Sequence, residues 1–202
     1  MHITYKPIRH GYARIDKDGK LLITIPLSKK WSTFEEILIT KGQQLLKRYN
    51  KRTHIDPIQK DSILLFGEQV PINEFYRQYP SKKALPKHFN VSTFPSFHIL
   101  KDILREYATP IFDLYSKKIW LSYKKINIRK TASKWGSCTH DQIFSLNLDL
   151  IHLPTKFIKY VIIHESCHLK IKNHSKKFRA LVESFYPSYK EIKKELGKFV
   201  IK

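Results

Sequence analysis

Cysteine is scarce in this 202-residue chain, with Cys138 and Cys167 the only two. At most one disulfide can form, so the chain is no disulfide scaffold and a reducing compartment is expected. No window approaches the roughly eighteen uninterrupted apolar residues of a membrane-spanning helix. The opening MHITYKPIRHGYARIDKDGK lacks the apolar core of a secretory signal. The expectation is a cytoplasmic protein without a membrane partner. Acidic residues are few: 17 Asp and Glu stand against 38 Lys and Arg, a net charge of +21. That excess suits polyanionic company such as nucleic acid, nucleotide phosphates or acidic protein. A merely solvated lysine-rich surface accounts for it equally well, because the charge lies in short clusters. Internal repeats, low-complexity tails and Gly-rich phosphate loops are all missing.

What is present is material for a core: 42% of residues are hydrophobic and 13% aromatic. In GYARIDKDGKLLITIP an Asp-Gly pair separates two runs rich in Ile, Leu and Tyr, which predicts a hairpin. From Ser32 the period changes. Phe34, Ile37, Leu38, Leu45 and Leu46 recur at helical spacing, and Ser32 with Glu35 fits a capping box. DSILLFGEQVPI reads as a second hairpin around Gly67. Residues 77–97 are polar, basic and Pro-punctuated, so a surface loop or insertion is expected there. A helix follows from about Ser96 to Tyr115, with Pro110 expected to kink or interrupt it. KKINIRK and QIFSLNLDLI are strand candidates. Pro154 is placed to open the next helix, and Ser175 to cap a final one that Pro187 bends or breaks. Strands first and helices later favour α+β.

One segment carries chemistry: VIIHESCHLKIKNH, Val161 to His174. His164 and His168 are four apart, so a helix puts both imidazoles on one face, a turn apart. Glu165 stands about 100° further round, beside a shared cation rather than on it. A hydrolytic zinc site needs three protein ligands, an open position for water and a base. On a continuous helix His174 would lie about 9 Å along the axis from His168 and off its face. The chain must therefore leave the helix, with Asn173 the expected left-handed pivot. Glu183 on the following helix competes as third ligand, with a solvated role as its alternative. Cys167 reads as a small buried hydrophobe. A plain buried helix would leave His164, Glu165 and His168 without partners, which is rare.

Upstream runs RKTASKWGSCTHDQIFSLNLDLIHLPTKFIKYVIIHESCHLKIKNHSKKF, Arg129 to Phe178. With Trp135, Gly136, Ser137, Cys138, Asn147, Pro154, Tyr160, His164, Glu165, His168, Asn173, His174, Ser175 and Phe178 in order, it resembles the YgjP-like predicted metal-dependent hydrolases, related to SprT-type HExxH metallopeptidases. GYARIDKDGKLLITIP and LLFGEQV resemble that family's β-rich front half. Departures are Ser166 where Leu is usual, Lys134 where Arg precedes the Trp, and Arg179 where Trp is common. The resemblance implies one YgjP-like domain over 1–202: a β-rich lobe (1–76), the basic loop (77–97) and a zincin-like catalytic lobe with a small sheet (98–202). It implies Zn2+ held by His164, His168 and His174, with Glu165 as general base.

Three functions follow as expectations. The first is a zinc-dependent, metallopeptidase-like hydrolase, with the strand near IFSLNLDL either receiving an extended peptide by strand addition or packing as ordinary core. The second keeps the site but cleaves a nucleotide, as a UTP pyrophosphatase. The third is a protease associated with nucleic acid through the basic surface. Lys134, Trp135 and Asn147 are the candidate substrate contacts.

Overall fold

Leu21, Ile23 and Ile25 alternate along LLITIP, and the pleat of a strand turns all three to one face. The computed structural model describes residues 1–16, 18–51, 53–54, 56–59, 61–80, 97–131 and 134–200. Those residues form two units by contact. The first comprises residues 1–54 with 198–200. In it β1 (His2–Lys6) and β2 (Tyr12–Ile15) flank β3 (Leu21–Pro26). The β2–β3 pair is the expected antiparallel hairpin, and β1 joins β3 in parallel.

Helix α1 (Thr33–Asn50) covers that sheet. The stripe it presents is not the one its apolar residues suggest. Leu38, Ile39 and Leu46 pack on the Leu21–Ile23–Ile25 cluster, while Phe34 and Ile37 are exposed. Gly42 sets the stripe, because a Cβ there would lie 3.0 Å from Ile23 Cδ1; the helix rests on the sheet where its side chain is missing. The capping box does not form either. Glu35 is buried and its carboxylate accepts from Tyr5 Oη and from the Trp31 N–H, both at 2.6 Å. Ser32 Oγ donates instead to the Lys29 carbonyl. A short strand, β4 (Thr53–His54), pairs in parallel with Phe199–Val200.

The second unit comprises residues 55–197. It opens with β5 (Ile58–Gln59), β6 (Ser62–Leu65) and β7 (Glu68–Pro71), the last two joined by Phe66-Gly67. Both turn residues have positive φ, as a tight two-residue hairpin demands. Next come α2 (Ile72–Gln78) and α3 (Phe97–Ile119). Of the basic stretch 77–97, residues 81–96 lie outside the described residues. Pro110 does not interrupt α3. An interior proline costs about 3 kcal/mol. Burying each of Leu100, Ile103, Leu104, Phe112 and Ile119 returns about 1.5–3 kcal/mol, so packing wins.

Three further strands, β8 (Lys125–Arg129), β9 (Gly136–Cys138) and β10 (Ile143–Asn147), form a mixed sheet in the order β8-β10-β9. Phe144 and Leu146 are fully buried, and Phe144 stacks on Phe112 of α3 at 4.2 Å. A 3-10 turn over Leu148–His152 leads to α4 (Thr155–Lys170), which Pro154 opens. Helices α5 (Lys176–Phe185) and α6 (Tyr189–Leu196) close the unit, separated at Pro187. Helix α4 contacts α3, β9, α5 and α6. That enclosure explains why Ile158, Ile162, Ile163 and Cys167 are all fully buried. The fold is α+β. Among the described residues no helix is long and apolar enough to cross a membrane.

Candidate metal centre

The last two turns of α4 carry His164, Glu165 and His168. The helix stops because Ile171 is extended (φ −128°, ψ 110°), with its N–H still bonded to the Cys167 carbonyl. Asn173 is not left-handed, contrary to expectation; positive φ occurs elsewhere. Its Oδ1 instead accepts from the Ser175 N–H at 3.2 Å, and Ser175 Oγ caps α5 by accepting from the Phe178 N–H. This short reversal returns His174 over the end of α4.

One ring nitrogen of each of His164, His168 and His174 lies within 4.8 Å of the others. His174 Nε2 stands 3.0 Å from His164 Nε2 and 3.2 Å from His168 Nε2. Nitrogens held at 2.0–2.1 Å in a tetrahedral zinc shell stand about 3.3 Å apart. His168 Nδ1 donates to the Ile171 carbonyl at 2.9 Å, which leaves its Nε2 lone pair facing the cluster. His174 Nε2 faces two nitrogens and has at most one proton for them. His164 is pushed down to about 3, by burial first and then by His168, His174 and Lys193. Burial also lowers His168, with the Ile171 carbonyl opposing. Three imidazoles with converging ring nitrogens are a donor set for a divalent cation, and they fit one.

Beneath the cluster, Phe178 of α5 stacks on the His168 ring at 4.3 Å and meets the His164 and His174 rings edge-on, each at 4.9 Å. In the sequence Phe178 stands four residues after His174, inside the motif that carries the family resemblance.

Glu165 is buried, and burial pushes its carboxyl up to about 8 against the pull of Lys134. Its neighbour is Gly136 of β9. A Cβ on Gly136 would lie 2.8 Å from Glu165 Cγ, 2.9 Å from Oε1 and 2.7 Å from Val161 Cγ1. The glycine of the Trp-Gly-Ser-Cys motif is thus the recess that seats Glu165. Gly136→Ala is expected to displace the carboxylate and lower turnover by about a hundredfold, as a misplacement near 1 Å does. Zinc affinity should stay unchanged, because the histidines are untouched. Zinc titration alongside steady-state kinetics checks this, and an Ala variant with full turnover would refute the seating role.

Two clefts meet at this centre and share Lys134, Gly136, His164, Glu165 and His174. One, about 360 Å³, adds Trp135, Tyr160, Val161, Lys193 and Leu196. The other, about 270 Å³, adds Ser137, Cys138, His168 and Lys172. The expected contacts Lys134 and Trp135 line the clefts; Asn147 does not. It is 1% exposed, and its amide donates to the Thr131 and Lys134 carbonyls at 2.8 and 3.2 Å while its N–H bonds the Trp135 carbonyl. It holds from below the backbone that carries those two side chains. β10 is the central strand, so it offers no edge to a peptide; β9, its neighbour beside the centre, is an outer strand of that sheet. Glu183 is exposed and paired with Lys190 at 2.9 Å. Cys167 is fully buried and pushed up to about 12, by burial first and by Glu165 second. The unusual Ser166 donates to the Ile162 carbonyl at 2.8 Å, which satisfies its buried hydroxyl.

The family model described as "YgjP-like, metallopeptidase domain" matches residues 9–199. The chain belongs to the YgjP-like family. Among solved structures, this YgjP-like chain is similar to the metallopeptidase zymogen of Pyrococcus abyssi abylysin, with TM-score 0.41 and 21% identity. That match covers 44% of this chain and 90% of the other. It is also similar to the metallopeptidase zymogen of Methanocaldococcus jannaschii jannalysin, with TM-score 0.40 and 22% identity over 44% and 92%. No protein of curated function matches it. Family membership makes the YgjP-like chain a metallopeptidase-type hydrolase, which implies a divalent metal and a peptide substrate.

Proposed function

We propose that this protein is a zinc-dependent peptidase acting on extended polypeptide. The observation that carries the proposal is the convergence of three imidazole nitrogens beside one buried carboxylate, at the junction of two clefts. His164, His168 and His174 hold the metal. Zinc, when bound, acts as a Lewis acid that polarises the scissile carbonyl and makes water more acidic. Glu165 takes a proton from the attacking water and returns it to the leaving amine. Burial raises its carboxyl and a bound cation opposes that, so it can both accept a proton and give it back. Lys134 keeps it from being raised further. The outer edge of β9 offers backbone groups to an extended chain. Trp135, Tyr160, Val161 and Leu196 wall the larger cleft for an apolar side chain and thin the water around the reacting bond.

The UTP pyrophosphatase reading gains support from Lys134, Lys172 and Lys193 at the clefts, and the mainly apolar wall of the larger cleft favours a peptide over it. Association with nucleic acid rests on the net charge alone. The test is turnover by zinc-loaded protein on an unfolded polypeptide and on UTP, with a metal-stripped control. Polypeptide cleavage that disappears with the metal is expected. Cleavage of UTP alone would move the same centre to phosphate chemistry.

A further inference from the structure

The side chains around the centre are lopsided in charge. The smaller cleft carries Lys172 and the larger carries Lys193, while Lys134 belongs to both. Among the described residues Glu165 is the one acidic residue lining either cleft. Three lysines against a single carboxyl group leave the junction at +2 or more, and a divalent ion adds two further charges. A positive centre with low-dielectric walls concentrates anions and repels cations. Elsewhere in the same unit some basic side chains do have acidic partners. Asp102 is paired with Arg105, Glu183 with Lys190 and Glu195 with Lys156. Among the described residues Lys134, Lys172 and Lys193 have no ion pair of that kind, and all three are exposed.

We infer that the enzyme selects polypeptides with acidic side chains on both sides of the scissile bond, Lys193 receiving one and Lys172 the other, with Lys134 between them. This rests on the peptidase reading above. The two ends differ in character. At the Lys193 end Trp135, Tyr160 and Leu196 line the same cleft, so an acid flanked by apolar residues fits there. At the Lys172 end the wall is Ser137 and Cys138, which fits a small polar neighbour. A single exposed ion pair is weak, typically under fivefold in affinity. Three cations acting on one short segment, partly walled from water, give more, and a like charge placed there costs more still.

The test uses full-length, zinc-loaded protein and three peptides identical except at the residues flanking one cleavable bond: Glu, Ala or Lys on both sides. The Glu peptide is expected to show kcat/KM about tenfold above the Ala peptide and over a hundredfold above the Lys peptide, with the preference shrinking as salt rises. Lys172→Glu and Lys193→Glu should each move the preference toward Lys on one side only, and on opposite sides. Binding of the labelled Glu peptide to the zinc-loaded Glu165→Gln protein, followed by fluorescence anisotropy, gives a readout independent of turnover. It should weaken about tenfold in each reversal. Both lysines are exposed, and circular dichroism verifies that the variants fold. Equal cleavage of all three peptides overturns this inference and leaves the peptidase intact. Cleavage of none of them, with UTP hydrolysed, overturns both.

Discussion

Glu165→Gln is expected to retain one zinc per chain and to lose turnover by at least about a thousandfold, within the range general acid–base catalysis supplies. Gln keeps the size of Glu, so the seat opposite Gly136 remains filled and α4 keeps its packing. What disappears is the acceptor of the water proton. The three imidazoles do not depend on it, since His168 is oriented by the Ile171 carbonyl and all three rings rest on Phe178. Metal content measured on the purified variant, beside kcat on an unfolded polypeptide, checks both halves. Loss of zinc with the activity would mean that Glu165 helps hold the ion. Retained turnover would mean that another group takes the proton. The companion change Glu165→Asp pulls the carboxylate back by one methylene and should recover only a small part of the rate, because the base must reach the water to act.

Local signals carried much of this architecture and stopped where contacts between distant segments decide. The two hairpins, the opening of α4 at Pro154, the cap at Ser175 and the break at Pro187 were all visible as turn or cap chemistry. So was the i, i+4 pair of histidines. The face of α1 was not, because Gly42 is read as a weakness in an isolated helix and becomes the contact point only once Leu21 and Ile23 lie beneath it. Pro110 misleads for a similar reason: its local cost is real, and long-range burial along α3 exceeds it. Asn173 suggested a left-handed pivot, whereas the observed reversal uses its side chain, an alternative that Asn offers equally. Asn147 stands out in sequence as a polar residue in an apolar strand, which marks it as important without saying whether it meets substrate or backbone. Lys172 and Lys193 sit in ordinary basic runs. Only the fold brings them to the same centre.

His174→Ala is expected to weaken zinc binding by two orders of magnitude or more while leaving the metal-free protein as stable as before. Full structural zinc sites contribute about 10–16 kcal/mol, so one ligand in three or four accounts for roughly 3 kcal/mol or above. The cost falls on the metal rather than on the fold because His174 is exposed, on the link between α4 and α5. Its ring nitrogen crowds two others at 3.0 and 3.2 Å, and without a cation between them at least one of those contacts opposes lone pairs. Removing the ring relieves that crowding, so the metal-free variant should melt no lower than the parent. His168→Ala must behave differently. That side chain is nearly buried, bonds the Ile171 carbonyl and stacks on Phe178, so its loss lowers both zinc affinity and metal-free stability. Thermal melts with and without added zinc separate the two, since a ligand raises the midpoint only in proportion to its binding. The parent should show a large zinc-dependent rise, His174→Ala almost none from an unchanged baseline, and His168→Ala almost none from a lowered one. A full zinc-dependent rise in His174→Ala would take His174 out of the ligand set and return Glu183 of α5 as the third donor. That would require Glu183 to leave Lys190 and turn toward α4.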